Sequence, residues 1–264
     1  LAMCLSKELE QKTFIINAAN IKSNKEIIAV VSAIKNKDVL FIDEIHRMPK
    51  KVAEFLYTIM EDNYMLLSNS RGSLKIKLQP FTLIGSTVDI GLLPGPFVNR
   101  FKFHYFVQPY TLEEITKIAK LNCKRAELNI NDKAILDIAS RSKNTPRICN
   151  ARVDWIKDFS IARSIKNITE KDTSTAFTLN GIDDLGLDSN DHKYLEVLEK
   201  STEPMGIRAI SSVLGMSEET IINYIEPYLV SIGKVVRTKS GRIAGNKRVS
   251  LTDFLSKFEI IEKE

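Results

Sequence analysis

The strongest constraint on the fold is a run of four apolar residues that ends in a pair of acids, VLFIDE at residues 39–44. A short apolar run bounded by charged residues predicts a buried strand. Open α/β sheets bind their ligands at the carboxyl ends of the strands, where Asp43 and Glu44 fall. The pair therefore indicates a nucleotide site, with Asp43 available to a phosphate-bound divalent ion and Glu44 available to orient water. A simpler alternative is that both acids only favour the start of a helix.

Residues 1–108 alternate helix-like and strand-like patterns. Apolar residues recur at spacings of three and four in SNKEIIAVVSAIKN and KKVAEFLYTIMED, as they do on one face of a helix. The stretches TFIINAA, VLFID and PFTLIGST are instead short apolar runs typical of strands. Strands that alternate with helices predict an α/β fold with a parallel sheet and crossover helices.

A different pattern interrupts this alternation in NYMLLSNSRGSLKIKLQ. Leu74, Ile76 and Leu78 alternate strictly with lysines, and Ser, Asn and Gly residues separate them from the preceding apolar stretch. This arrangement predicts two short strands joined by a turn. We expect a projecting hairpin at residues 63–80, although the pattern alone fits an ordinary edge hairpin of the sheet equally well.

From about residue 108 the pattern becomes helical. Cap signals precede successive apolar stretches at Thr111, Asn131, Thr145 and Thr169. The segment GIDDLGLDS is rich in Gly and Asp and has no apolar periodicity, which predicts a linker. We therefore expect three domains, at residues 1–107, 108–182 and 188–256.

The last third of the chain combines a helical pair with a basic hairpin. ISSVLGMSEETIINYIEPYL predicts a helix, a Gly turn and a second helix capped by Ser217. Two strand-like pieces follow, and between Ser231 and Arg248 there are six bases and no acid: Lys234, Arg237, Lys239, Arg242, Lys247 and Arg248. A winged-helix domain has this organisation, and its wing can neutralise DNA phosphates. A solvated basic face is the simpler alternative.

Composition narrows the setting of the protein. The formal net charge of +5 is too mild to establish a nucleic-acid partner by itself. The three cysteines are far apart and have neither disulfide-framework nor zinc-ligand spacing. No apolar run has the length of a membrane span, and the first residues carry charge too early for a signal peptide. We expect a cytoplasmic protein.

Other candidate site residues favour the nucleotide interpretation of the acid pair. Thr87 follows the PFTLIGS run at the next expected strand end, Arg100 lies in GPFVNRF, and Arg147 lies in KNTPRICN at a helix start. An arginine can stabilise charge on a transferred phosphoryl group, within one chain or from a neighbour. His46 is a weaker candidate, because a structural or surface histidine is the commoner case.

With these residues in view, the chain resembles the RuvB family, the AAA+ motors that migrate Holliday junctions in bacteria. The resemblance implies that Asp43 and Glu44 form the Walker B pair, with Asp43 holding Mg²⁺ on ATP. It further implies that Thr87 lies in sensor 1, that Arg100 is an arginine finger, and that Arg147 is the sensor 2 arginine. It extends over nearly the whole chain, through these stretches in the family order: DVLFIDEIHR, LYTIMED, PFTLIGST, NRF, TPRICN, EPMGI, IEPYL and RTKSGRI.

The same resemblance implies an architecture and partners. It implies an AAA+ P-loop-type parallel sheet, incomplete at its amino terminus, followed by a helical lid and a winged-helix domain. The partners implied are Holliday junction and duplex DNA, further copies of the chain in a hexamer, and a RuvA-like protein docked on hairpin 63–80. The wing residues Lys234, Arg237, Lys239 and Arg242 are the expected DNA contacts.

The sequence also departs from the family pattern. Val88 and Asp89 stand where the family usually has Thr and Arg, and Val98 stands where an arginine is common. No G-x-x-x-x-G-K-[ST] motif occurs in the 264 residues, so we expect that the chain starts just after the phosphate loop. Without that loop's amides and lysine, we expect weak ATP binding.

Two other functions remain open at the level of sequence. A clamp-loader subunit is disfavoured by the basic winged helix and by the absence of a Ser-Arg-Cys sequence around Arg100. A non-hydrolysing winged-helix DNA-binding protein is favoured by the missing loop and the altered sensor. The presence of Asp43, Glu44, Arg100 and Arg147 counts against it, because a protein that does not hydrolyse ATP needs none of them.

Overall fold

The computed structural model describes residues 2–69 and 72–246. The chain divides after Phe106 into two compact units, and the second unit contains two separate hydrophobic cores. The part of the chain from residue 247 onward, including Lys247 and Arg248 of the predicted wing, lies outside the described residues.

The first unit is built on a parallel sheet flanked by helices. Its strands are β1 (Thr13–Asn17), β2 (Val39–Asp43), β3 (Tyr64–Asn69), β4 (Gly72–Lys77) and β5 (Thr82–Gly85). Its α-helices are α1 (Ala2–Glu8), α2 (Asn24–Ala33), α3 (Lys50–Asp62) and α4 (Gly95–Val98). Strands β1, β2 and β5 pair in parallel with β2 in the centre, which confirms the α/β prediction.

The central position of β2 explains its sequence. Val39, Leu40 and Ile42 are fully buried, because a parallel strand between two others is covered on both faces. Helix α3 presents Val52, Leu56 and Ile59 to the same core, on the face that the apolar periodicity predicts. The sheet thus fixes the chain up to Asp43, the last residue of β2.

Strands β3 and β4 form the antiparallel hairpin expected at residues 63–80. Met65 and Leu78 at its base are buried in the core of the first unit. Leu66 and Leu74 are instead more than half exposed. Leu74 continues the face of Met65 and Ile76 into solvent, whereas Leu66 lies on the opposite face, across from Lys75.

The first core of the second unit is a helical bundle. Its helices are α5 (Leu112–Arg125), α6 (Asp132–Ser140), α7 (Pro146–Ala162) and α8 (Glu170–Leu179). The predicted caps at Thr111 and Asn131 each accept a backbone hydrogen bond. At Thr169 the backbone amide and the hydroxyl both donate to the carboxylate of Asp172. The hydroxyl of Thr145 instead donates to the carbonyl of Lys143, so that side chain does not cap α7.

The segment predicted as a linker is ordered at both ends. Ile182 is buried in the core of the helical bundle, and Leu187 is buried in the next core along the chain. Between them Gly186 has a φ of +77°, and a Cβ added there would lie 2.3 Å from the backbone oxygen of Arg141. Ile182 and Leu187 are not spaced as on one face of a helix or strand, so apolar periodicity could not reveal that both are buried.

A partly buried group of charges joins the bundle to the segment that follows. This junction cluster consists of Lys143, Arg152, Asp188 and Asp191. The ammonium of Lys143 binds the carboxylate of Asp191, which is 1% exposed, and lies 3.9 Å from that of Asp188. Burial lowers the pKa of Arg152, and the two aspartates oppose that shift. Lys143 and Asp191 are therefore held away from bulk water, while Asp188 is 44% exposed at the edge of the cluster.

The second core belongs to a winged helix. Its elements are α9 (Ser189–Lys200), α10 (Ile207–Leu214), α11 (Glu218–Thr220), α12 (Glu226–Ser231), β6 (Val235–Thr238) and β7 (Gly241–Ala244). Strands β6 and β7 form the predicted wing hairpin, and Met205 pairs with Arg242 beside it.

Helices α11 and α12 are joined by a π-helical turn at Ile221–Ile225. Pro227 follows at the start of α12 and has no N–H to continue a regular helix. The amide of Glu226 donates to the carbonyl of Ile221, five residues earlier. Glu226 consequently lies one turn below Ile221 and faces the core, where both are fully buried.

The cysteines differ in exposure. Cys4 is exposed, whereas Cys123 and Cys149 are buried and free. Burial raises the pKa of the Cys123 thiol to about 11 and also raises the pKa of Cys149. Across residues 2–69 and 72–246, no helix is long and apolar enough to cross a bilayer.

These environments predict selective thiol labelling. At pH 8 an alkylating reagent should modify Cys4 in the native protein and spare Cys123 and Cys149, because a buried thiol with a raised pKa supplies little thiolate. Intact-mass spectrometry should show one adduct in buffer and three in denaturant. Rapid labelling of Cys123 in buffer would contradict the packing of the bundle.

Candidate nucleotide site and nucleic-acid interface

Asp43 is held at the carboxyl edge of the parallel sheet. The backbone amide of Glu44 and the hydroxyl of Ser86, which follows β5, both donate to Oδ1 of Asp43. Neither donor uses Oδ2, and the residue is half-buried. A carboxylate fixed in this way can accept hydrogen bonds from the water molecules around a phosphate-bound Mg²⁺, which is an oxygen-binding ion.

Glu44 follows in a constrained backbone conformation. Its φ of +49° lies in the left-handed region, which is uncommon for residues other than glycine. Its amide also approaches the Ser86 hydroxyl at 3.3 Å, and its carboxylate binds Arg47 at 3.1 Å. The two acids therefore have different partners, Arg47 for Glu44 and Ser86 for Asp43.

Thr87 lies two residues beyond the end of β5. Its hydroxyl donates to the carbonyl of Asp89 and lies 3.1 Å from Nδ1 of His46. The next side chain, Val88, is 85% exposed. Thr87 and His46 thus connect the loops after β5 and β2, and Ser86 is the residue in contact with Asp43.

Arg100 is bound within its own unit. Its guanidinium lies 4.4 Å from the ring centroid of Tyr57 on α3, binds Glu61, and donates to the carbonyl of Pro96. The side chain is 26% exposed. An arginine finger acts on the nucleotide of a neighbouring subunit. To act in that way, Arg100 would have to break these contacts.

Arg147 belongs to the second unit. It is exposed and is the second residue of α7, directly after Pro146. A cation at a helix start is not favoured by the helix dipole. Arg147 is therefore available to an external anion, because its charge does not stabilise the helix that it begins.

The wing residues fall into two groups. Lys234 and Lys239 are exposed. Arg237 and Arg242 face each other across the hairpin, and both bind the carboxylate of Glu226. Of the four wing bases that the structure describes, Lys234 and Lys239 therefore present their whole charge to solvent, whereas the arginines share theirs with Glu226.

Glu226 is the centre of a buried polar network. The hydroxyl of Tyr194, itself buried, donates to Oε1 at 2.8 Å. Burial would raise the pKa of Glu226, but hydrogen bonds from Arg242 and Tyr194 outweigh it and leave the pKa below its usual value. Glu226 therefore remains ionised beneath the wing.

Ser86 and Glu226 were not anticipated from the sequence. Ser86 directly follows Gly85, which lies opposite Ile42, so the pairing of β5 with β2 had to be known before Ser86 could be placed beside Asp43. Glu226 had no signal in the sequence, since an acid in a helical pattern normally predicts an exposed position.

Three family models match the chain in consecutive order. The Holliday junction DNA helicase RuvB P-loop domain matches residues 1–107, the RuvB AAA lid domain matches residues 110–183, and the RuvB C-terminal winged helix domain matches residues 184–252.

Individual relatives agree with this assignment. The Holliday junction branch migration complex subunit RuvB of Orientia tsutsugamushi (strain Ikeda) is 40% identical over 224 residues, which cover 83% of this chain and 69% of that protein. The protein of the same name in Kosmotoga olearia is 35% identical over 253 residues, with coverages of 94% and 74%. The Thermotoga maritima RuvB Holliday junction branch migration motor has a TM-score of 0.81 at 30% identity, covering 98% of this chain and 83% of that one. The chain therefore belongs to the RuvB family.

Proposed function

We propose that this chain is an ATP-dependent motor subunit that pumps duplex DNA through a Holliday junction during recombination and repair. The observation that carries the proposal is the strand-end group of Asp43, Glu44 and Ser86 on a domain matched by the RuvB P-loop family. A motor of this kind couples a nucleotide site to a DNA-binding surface, and the chain has candidates for both.

The nucleotide would be Mg²⁺-ATP, which supplies the transferable phosphoryl group. Asp43 would hold the metal through its hydration shell, and Glu44 would orient the attacking water. Thr87 and Arg147 would contact the phosphates, and Arg100 would act on the nucleotide of a neighbouring copy. The fixed orientation of Asp43 supports its role, because its carboxylate needs no rearrangement to meet a hydrated ion.

The DNA surface would be the wing. Lys234, Lys239, Arg237 and Arg242 would neutralise backbone phosphates without reading the sequence. The helical segment that enters the major groove in many winged helices begins here with Glu218 and Glu219. These acids repel phosphates, and this repulsion supports contact through the hairpin.

We further propose the partners that such a motor needs. Six copies would form a ring in the cytoplasm, and hairpin 63–80 would dock on a RuvA-like junction-binding protein. Leu74, which is exposed beyond the buried base on one face of that hairpin, supports an apolar contact there.

A second candidate is a RuvB-family DNA-binding protein that does not hydrolyse ATP. The hydroxyl of Thr87 is already bonded to His46 and to the carbonyl of Asp89, which favours this candidate. Val88 and Asp89 also replace the Thr and Arg that are usual in the sensor.

Branch migration separates the two candidates. Protein purified from its own source, with its intact mass recorded, would be mixed with RuvA and a labelled four-way junction in ATP or in a non-hydrolysable analogue. We expect that the four-way junction dissociates into duplex products with ATP and remains intact with the non-hydrolysable analogue. Junction binding with no ATP-dependent migration would reject the motor and support the second candidate.

The wing itself can be tested by salt dependence. Lys239→Gln should weaken binding to linear duplex and reduce the slope of log affinity against log salt by about 0.9, because one phosphate contact releases about that many counterions. Fluorescence anisotropy at several salt concentrations measures both quantities. Lys200→Gln on α9 removes an equal charge from another exposed position and should leave the slope unchanged. Equal slopes for all three proteins would place the DNA elsewhere.

A further inference from the structure

The carboxylate of Glu226 orients two arginines of the wing. Arg242 Nε lies 2.9 Å from Oε1, while Nε and Nη2 of Arg237 lie 2.8 Å and 2.6 Å from Oε2. The two arginines occupy opposed positions of β6 and β7. A single carboxylate therefore bridges both strands of the hairpin from below.

Glu226 has little freedom to move. Its backbone is fixed by the π-helical turn, its side chain is 0% exposed, and Tyr194 donates to the same carboxylate. Charge-assisted hydrogen bonds from a guanidinium are strong and directional, and removal from water strengthens them further. The carboxylate is thus a rigid support for the bound guanidinium groups.

Arg237 remains partly available. Both of its contacts with Glu226 use the edge formed by Nε and Nη2, and the side chain is 47% exposed. A guanidinium carries five N–H donors in a planar fork, so one edge can bind a carboxylate while the other binds a phosphate. Arg242 is only 19% exposed and serves mainly the internal network.

We propose that Glu226 is a positioning residue for DNA binding, which holds Arg237 with its open edge directed at a backbone phosphate. This inference rests on the proposed binding of DNA by the wing. The group of Glu226, Arg237 and Arg242 has a net charge of +1, which leaves it attractive to phosphate. Fixing the side chain beforehand removes the entropic cost of ordering a long arginine on binding.

Two opposite results distinguish positioning from simple charge. Glu226→Gln removes an acid beneath a basic surface, so electrostatics alone predicts tighter DNA binding. If Glu226 positions Arg237, the same variant should bind linear duplex about fivefold more weakly, since the freed arginine must be ordered at each encounter. Fluorescence anisotropy with a labelled duplex at fixed salt measures the difference. Unchanged or tighter binding would overturn the proposal.

A double-mutant cycle assigns the effect to Arg237. Arg237→Gln alone should weaken binding and reduce the salt slope by about 0.9. Adding Glu226→Gln to Arg237→Gln should cause no further loss of affinity, because there is no longer an arginine to position. An equal fivefold loss in both backgrounds would mean that Glu226 acts through the fold in general, and would also overturn the proposal.

Two variants control for folding. Tyr194→Phe removes a hydrogen bond from the same buried carboxylate but leaves both arginine contacts, so affinity should fall much less than in Glu226→Gln. Glu226→Asp keeps the charge on a shorter side chain and should bind more tightly than Glu226→Gln. If Glu226→Gln fails to fold by circular dichroism, Glu226→Asp together with Arg237→Gln repeats the cycle, and failure to couple there overturns the proposal.

The proposed function fails in a distinguishable way. If neither Lys239→Gln nor Arg237→Gln alters binding, the wing is not the DNA surface and the proposed function itself is contradicted at this surface. If both weaken binding while Glu226→Gln does not, only the positioning role is wrong.

Discussion

Replacing Asp191 with asparagine should lower the free energy of unfolding of the second unit by about 3 kcal/mol. Asp191 is 1% exposed and binds Lys143, whose side chain is 8% exposed. Arg152 lies close enough that Asp191 acts on its pKa. The substitution would leave the cations of the junction cluster with Asp188 as their remaining acid.

The size of the loss follows from burial. A buried charge that loses its partner retains the cost of leaving water but not the attraction that offset it. Asparagine preserves the shape of the side chain and an oxygen that can still accept from the Asp188 amide, which Asp191 accepts from now. The variant therefore removes charge and little else.

Urea unfolding followed by the fluorescence of Trp155 measures this loss. Trp155 is the only tryptophan of the chain, and its indole donates to the carbonyl of Ala176 within the helical bundle. Glu196→Gln on the same helix, α9, breaks a solvent-exposed pair with Lys200 and should leave the midpoint at the wild-type value. Adding Lys143→Met to Asp191→Asn should restore stability, and a midpoint unmoved by Asp191→Asn would show that the cluster is not held by charge.

Replacing Gly186 with alanine should cost about 3 kcal/mol of unfolding free energy. The left-handed φ accounts for about 1 kcal/mol of this in any residue with a Cβ. The rest reflects the approach of the new Cβ to the Arg141 carbonyl at 2.3 Å, where backbone has to move. Arg141 also binds Asp137 in a largely buried ion pair, which its displacement would disturb.

Gly181 provides the matched control. Its φ of +67° is similar, but nothing lies within 4 Å of an added Cβ. Gly181→Ala should therefore cost only the conformational part, about 1 kcal/mol. The same fluorescence measurement applies to both variants, and equal losses would mean that the contact with Arg141 contributes nothing.

Much of the fold could be predicted from local patterns. The strands, the hairpin at residues 63–80 and the capped helices follow from periodicities and cap signals that act within a few residues. The segment GIDDLGLDS could not be interpreted in this way, because Ile182 and Leu187 are anchored by two different cores. Such anchoring depends on distant residues and leaves no local repeat.

The candidate site shows the same limit. Asp43 was predictable because a strand end and an acid coincide in sequence. The contact of Ser86 with Asp43 was not predictable, since alternation does not fix the register between strands until the pairing is known. The contacts of Arg100 with Tyr57 and Glu61 join residues about forty positions apart, which no motif of neighbouring residues can encode.

The π-helical turn at Ile221–Ile225 has an evolutionary consequence. A π turn contains one residue more than an α-helical turn, and it is this extra residue that brings Glu226 directly below Ile221. Deleting a single residue there would rotate every later side chain by about 100° and bring Glu226 out of the core. Point substitutions in this segment can be absorbed one at a time, whereas a change of length cannot. Related chains should therefore vary here in composition and not in spacing.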